Sequence, residues 1–349
     1  MSSAAPAHPR LAAWWARGRR FLGVEAAIMG GAMTWVSERH LVAAISNAGG
    51  FGVIACGAME PARLAEEIRA TRALTRRPFG VNLIVLHPQL DALIETCIDE
   101  RVSHVVLAGG LPARAQFERL HAGGAKALAF APSLAAARRL VRSGADALIL
   151  EGMEAGGHIG PVSTSVLAQE ILPHLNEVPV FVAGGIGTGE AIAAYLRMGA
   201  AGVQIGTMFV CAEESIAHPR FKEAFIRAAA RDAVASVQLD PEFKVIPVRA
   251  LANLGTRRFA ELQLEVIGKH RRGEMSYEDA SLAIEHFWAG ALRRAVIDGD
   301  VETGSLMAGQ SVGLVDRIRP AAAILADLIT GAEAALAREP AAAPGVAAA

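Results

Sequence analysis

Residues 178–209 read VPVFVAGGIGTGEAIAAYLRMGAAGVQIGTMF, and the hydrophobic period of this stretch changes twice. Residues 180–183 form a short apolar run, Ile192, Tyr195 and Leu196 recur at helical spacing as far as Gly199, and residues 202–205 form a second apolar run. Parallel strands buried on both faces are continuously apolar, whereas a helix lying on a sheet repeats every 3.6 residues. The stretch is therefore strand, helix, strand, and that order requires a parallel pair with a helical crossover.

Six more apolar runs precede this unit, at 26–30, 52–56, 79–85, 104–108, 126–130 and 147–150. They are separated by helical patterns such as Leu90, Leu93, Ile94, Cys97 and Ile98, with Pro61 near a helix start and Gly144 at a helix end. Eight parallel strands with right-handed crossovers close into an α/β fold of the (β/α)8 or TIM-barrel type more naturally than they form an open sheet. The expected organisation is a barrel over 24–212, a mostly helical substrate or lid segment over the mouth at 213–310, a closing helix within 311–338, and a disordered Ala/Pro tail at 339–349.

At 349 residues, with 52% hydrophobic and 20% charged side chains, the chain is neither disordered nor short of core. A net charge of −1 with both signs interspersed gives no nucleic-acid footprint. Cys56, Cys97 and Cys211 lie far apart, and His87, His104, His174 and His218 have no ligand spacing, so no metal site is expected. A reducing cytoplasm fits. No apolar run is long enough to span a bilayer, so no membrane partner is expected. Arg10, Arg17, Arg19 and Arg20 near the start suit a helix leading into the first strand, with a targeting or membrane-surface helix as the alternative.

In such a barrel the loops after the strands form the active face. Gly184 and Gly185 end the seventh strand, and Gln204, Ile205, Gly206 and Thr207 end the eighth. Glycines let backbone N–H groups approach an anion closely, and these two loops are where barrels most often hold a phosphate. The sixth strand runs into EGMEAGGHIG at 151–160. There His158 follows Gly156 and Gly157 with little apolar cover, and its ordinary pKa suits proton transfer near neutrality. Asn82 either lines the mouth or marks the end of the third strand. Gly30, Gly31, Ala32 and Met33 leave the first strand as a glycine-lined floor that suits a flat ring, although a structural turn explains it nearly as well. Glu151 and Glu154 could pair as in glycosidases, yet no second acidic cluster supports that chemistry.

Together these motifs resemble the nitronate monooxygenase (2-nitropropane dioxygenase) family, including its FMN-dependent enoyl-acyl-carrier-protein reductase II branch. The resemblance rests on GGAMTWVSE at 30–38, SNAGGFGV at 46–53, PFGVN at 78–82, EGMEAGGHIG at 151–160, VAGGI at 182–186, VQIGTMF at 203–209, AHPRFKE at 217–223 and GDVETGSLMAGQ at 299–310. It implies a TIM barrel with FMN at its mouth, the phosphate held by Gly185 and residues 204–207, and the ring bordered by Asn82, Glu151 and Gly156. His158 matches the family's catalytic histidine. Many members carry Gln at the position of Glu151, while the reductase branch shares the acid.

Two chemistries follow from the resemblance. In one, a nitronate gives electrons to FMN and O2 reoxidises it, with His158 as base for neutral nitroalkanes. In the other, NAD(P)H is the reductant and an enoyl thioester the acceptor. The sequence places nitronate oxidation narrowly first, keeps a cofactor-free phosphate-binding lyase or isomerase as a remote reading, and leaves a homodimer open.

Overall fold

The computed structural model describes residues 8–57, 59–237, 239 and 247–338. Eleven strands occur among them: β1 (Ile28–Gly30), β2 (Gly52–Ala55), β3 (Phe79–Ile84), β4 (His104–Ala108), β5 (Lys126–Phe130), β6 (Ala147–Glu151), β7 (Gly157–His158), β8 (Val180–Ala183), β9 (Gly202–Ile205), β10 (Ala233–Ala235) and β11 (Val248–Leu251). Eight of them pair in the order β1-β9-β8-β6-β5-β4-β3-β2, every pair parallel. The two outer strands meet through a parallel bridge between Met29 and Phe51. At that seam Phe51 N donates to Ile28 O at 2.9 Å and Gly30 N to Phe51 O at 2.8 Å. The sheet thus curls into a (β/α)8 barrel whose eight strands are the eight apolar runs, each matching its run to within two residues.

The foot of the barrel is closed by the arginine-bearing helix Ala16–Leu22. Leu22 is fully buried, and a Cβ on Gly18 would lie 2.1 Å from Ala201 O, so only glycine lets this helix seat so closely. Phe21 O accepts from His104 Nε2 and from Lys126 Nζ, both at 2.9 Å. With Nε2 donating, Nδ1 of a neutral His104 accepts from Ser103 Oγ at 2.9 Å. Burial, with the imidazole ring edge-on to both Phe21 and Phe51, lowers its pKa to about 4. The arginine-bearing segment is thus a helix leading into the first strand, as expected, and it plugs the foot of the barrel. Among the described residues no helix is long and apolar enough to cross a membrane.

The closing helix spans Ala321–Ala337 and lies on the helix Gly189–Arg197. A Cβ on Gly189 would sit 2.2 Å from Ala332 N, and Arg197 Nη2 donates to Ala335 O at 2.8 Å. Within 213–310 the helices Leu254–Arg271 and Tyr277–Arg293 share a small core of Phe259, Val266, Ile267, Ala280 and Ile284. This segment, expected to be mostly helical, also contributes β10 and β11, which form an antiparallel three-stranded sheet with β7. All four residues of β11, VRAL, are buried, so it lacks the alternation that marks a strand in sequence. Tertiary pairing makes it one. The tail at 339–349 lies outside the described residues.

Candidate active site

The mouth of the barrel is built first from β8 and β9. Gly184 and Gly185 leave β8 with φ of 96° and 71°, left-handed values that disfavour any side chain. The N–H groups of Gly184, Gly185, Ile186 and Gly187, and those of Gly206 and Thr207 after β9, donate to no acceptor among the described residues. Six donors left open at two neighbouring strand ends are a cradle-like arrangement suited to an anion. The next helix begins at the same place, with Thr188 Oγ1 capping Ala191 N at 3.2 Å. These loops could hold the phosphate of a flavin mononucleotide.

The floor of the site comes from β1. Gly31 N donates to Ile205 O at 2.8 Å, and a Cβ on Gly31 would lie 3.2 Å from Gly206 Cα. Two backbones therefore run against each other beneath the cradle. Ala32 and Met33 pack on the core, with Met33 N bonded to Ser37 Oγ at 3.0 Å. Gly30 is buried, and a Cβ on it would lie 2.6 Å from Ile45 Cδ1. Its glycine is explained by packing.

Asn82 stands inside β3, fourth of six residues, so it does not mark the strand end. It is buried, its Nδ2 donates to Val106 O at 3.2 Å, and its Oδ1 accepts nothing among the described residues. Register pairs Glu151 with Ala183, Ala183 with Gln204, and Gln204 with Met29, which puts the two polar side chains at one level of the barrel. Gln204 is buried, and its amide has no partner among the described residues. Glu151 closes β6 and likewise has neither hydrogen bond nor ion pair among them. With no cation to offset it, burial pushes the Glu151 carboxyl up to about 8, which favours the protonated form, able like a glutamine to donate as well as accept.

Glu154 does not join it. Its Oε2 accepts from both N and Oγ1 of Thr164 at 2.9 Å, which ties the loop after β6 to the helix Thr164–Ile171. A carboxylate pair of the glycosidase kind is absent. The loop is clamped again from the other side: Gln310 N donates to Glu154 O at 2.9 Å, Gly309 N donates to Thr207 Oγ1 at 3.1 Å, and a Cβ on Gly156 would lie 2.6 Å from Ala308 C. Residues 307–310 thus strap the loops after β6 and β9 together. His158, expected in a loop, is the second residue of β7, where it pairs with Val248 and stays exposed. Beside it, buried Arg249 donates through Nε to Met153 O at 2.9 Å.

Sequence reasoning missed Thr164, Arg249 and the strap as builders of the site. The GDVETGSLMAGQ motif was the available signal for the strap. Arg249 had none, because a single arginine in an unrecognised strand reads as surface. The buried thiols contribute no nucleophile, since burial pushes Cys56 and Cys211 up to about 12 and Cys97 higher still. Among the described residues no group of His, Cys, Asp and Glu could hold a metal ion.

Comparison with known proteins places this geometry in context. A sequence model described as nitronate monooxygenase matches residues 18–331. The structure of FabK from Thermotoga maritima superposes with a TM-score of 0.82 and 38% identity, covering 91% of this chain and 96% of that one. A Mycobacterium tuberculosis protein named (3aS,4S,5R,7aS)-5-hydroxy-7a-methyl-1-oxo-octahydro-1H-indene-4-carboxyl-CoA dehydrogenase is 32% identical over 84% of this chain and 89% of its own. A nitronate monooxygenase of Paraburkholderia phytofirmans is 30% identical over 88% of this chain and 92% of its own.

Proposed function

This chain belongs to the nitronate monooxygenase family, and on that premise we propose that it is an FMN-dependent oxidoreductase that reduces an enoyl thioester with NAD(P)H as reductant. The observation that carries the choice of substrate is Glu151. A carboxyl held neutral up to about pH 8 at the barrel mouth can give a proton, which reduction of an enoyl thioester needs at the carbon next to the carbonyl. A nitronate, already deprotonated, needs no such donor. The 38% identity to FabK and the 32% identity to a carboxyl-CoA dehydrogenase support the same substrate class.

In this reading the open N–H groups of residues 184–187 and 206–207 hold the FMN phosphate. Asn82, Gln204 and Glu151 would offer polar groups to the ring, and Gly31, Ala32 and Met33 would help to hold it. Bound FMN would supply hydride chemistry, relaying a hydride from the nicotinamide to the β-carbon of the substrate. Glu151 gives the matching proton to the α-carbon, and His158 orients the thioester carbonyl from the rim. The strap at 307–310 fixes the histidine's loop, and the segment 213–310 serves as the substrate lid.

Nitronate oxidation with O2 remains the second reading, favoured by the family description and by the Paraburkholderia relative. There His158 removes the α-proton of a neutral nitroalkane. Steady-state turnover of the purified protein separates the two. Oxidation of NAD(P)H dependent on crotonyl-CoA, with little consumption of propionate 3-nitronate in air, is the expected result. Rapid nitronate oxidation without thioester reduction would reverse the order.

A further inference from the structure

At the foot of the barrel, on the face opposite the mouth, a cleft of about 340 Å³ opens between the ends that lead into β3 and β4. Arg72, Arg76, Arg77 and Arg101 line it together with Thr75 and Ser103, and no acidic residue does. Two of the four guanidinium groups are occupied. Arg72 bonds to Glu100 and to Arg101 O, and Arg77 faces Glu25 at 3.1 Å. The guanidinium groups of Arg76 and Arg101 have no hydrogen-bond or ion-pair partner among the described residues.

The backbone at Arg101 makes the cluster more than a chance of surface composition. At four other joints where a helix gives way to a strand, the chain turns on a left-handed glycine: Gly49, Gly124, Gly144 and Gly199, with φ of 91°, 80°, 116° and 105°. At the corresponding joint between Leu90–Asp99 and β4, Arg101 takes φ of 49°. A side chain in that region is strained, and glycine would remove the strain. Arginine is kept there at a cost to the fold, with its side chain in the cleft.

We propose that this cleft is a second ligand site, for a small multiply charged phosphoryl anion of the pyrophosphate or phosphate-ester class. Guanidinium forks match phosphoryl oxygens geometrically, and the Thr75 and Ser103 hydroxyls add polar groups to the lining. The volume lies at the lower end of small-ligand clefts. The charge is confined to a recess in a chain of net charge −1, which favours a small anion over a polyanionic surface. The site is independent of the flavin reading, since it lies at the opposite end of the barrel.

Calorimetric titration of the full chain with inorganic pyrophosphate, FMN being present at saturation to close the cradle at the mouth, tests the proposal. Saturable binding that weakens with added salt is expected, and Arg76→Ala and Arg101→Gly should each weaken it about tenfold. Arg101→Gly should at the same time raise the melting temperature by about 2 °C, because the strained joint is relieved. No saturable binding by the wild type, or binding untouched in both variants, overturns the site. A lower melting temperature in Arg101→Gly overturns the claim that Arg101 is held against the fold's preference. Sedimentation with phosphatidylglycerol vesicles but no pyrophosphate binding overturns it in favour of a membrane surface.

Discussion

Gly206→Val separates cofactor binding from folding. Gly206 has φ of −108° and ψ of −66°, a conformation open to any residue, and a Cβ there would meet only Met33 Sδ at 3.4 Å and Met33 Cγ at 3.7 Å. The fold should lose about 1 kcal/mol, the scale of a poor residue at a helix N-cap. The added methyls stand beside the N–H groups of residues 206 and 207, where phosphate oxygens have to approach. One lost hydrogen bond to a charged oxygen is worth roughly 1.5–3 kcal/mol, or about 10–150-fold in affinity. Gly185→Val is the less clean variant, because φ of 71° and a Cβ contact of 3.0 Å to Glu154 Cβ strain the fold as well. The assay is quenching of FMN fluorescence on titration with apoprotein, with thermal melts of the same samples. An unchanged dissociation constant in a folded Gly206→Val protein would refute the cradle.

Glu151→Gln keeps shape and hydrogen bonding but cannot release a proton, so FMN affinity should hold while thioester turnover falls about 10²–10³-fold. In the wild type, turnover should decline as pH rises through about 8, and steady-state rates across pH 6–10 check this. The sign for stability follows from the same shift: the folded state keeps a proton the unfolded state releases above its ordinary value of 4.5, so stability is lost as pH rises towards about 8, and Glu151→Gln should lack that slope in urea melts. His104 acts in the opposite sense. With its pKa lowered from 6.5 to about 4, the unfolded state takes the proton first, and stability should fall by up to about 3 kcal/mol as pH drops across that window, a trend removed in His104→Gln. His158→Ala should retain FMN; if nitroalkanes are substrates, it should slow the neutral forms about 10²–10⁴-fold more than the nitronates, and equal loss on both would assign His158 to binding.

The barrel was legible because each of its strands is a continuous apolar run, a pattern that does not depend on which partner a strand finds. The glycine loops at the mouth were legible for a related reason, since Gly184, Gly185 and Gly206 stand directly after such runs. What escaped was structure made by tertiary pairing. β7 and β11 are two and four residues long, and β11 holds a buried arginine, so neither period nor composition announces them. Glu151 and Glu154 look alike in EGMEAGGH, and only the fold sends one to a hydrogen bond with Thr164 and leaves the other without a partner among the described residues, its pKa raised by burial. Asn82 could not be placed because a strand end and an inward-facing strand position give the same local sequence.

The central claim is that electrons leave the bound flavin for an enoyl thioester, with the proton from Glu151. Anaerobic single turnover tests it most directly: the FMN-loaded protein is reduced with one equivalent of NAD(P)H and mixed with crotonyl-CoA while the flavin absorbance is followed. The account predicts prompt return of the oxidised flavin spectrum in the wild type and a slow return in Glu151→Gln. A flavin that stays reduced until air is admitted, yet is bleached rapidly by propionate 3-nitronate when oxidised, would contradict it.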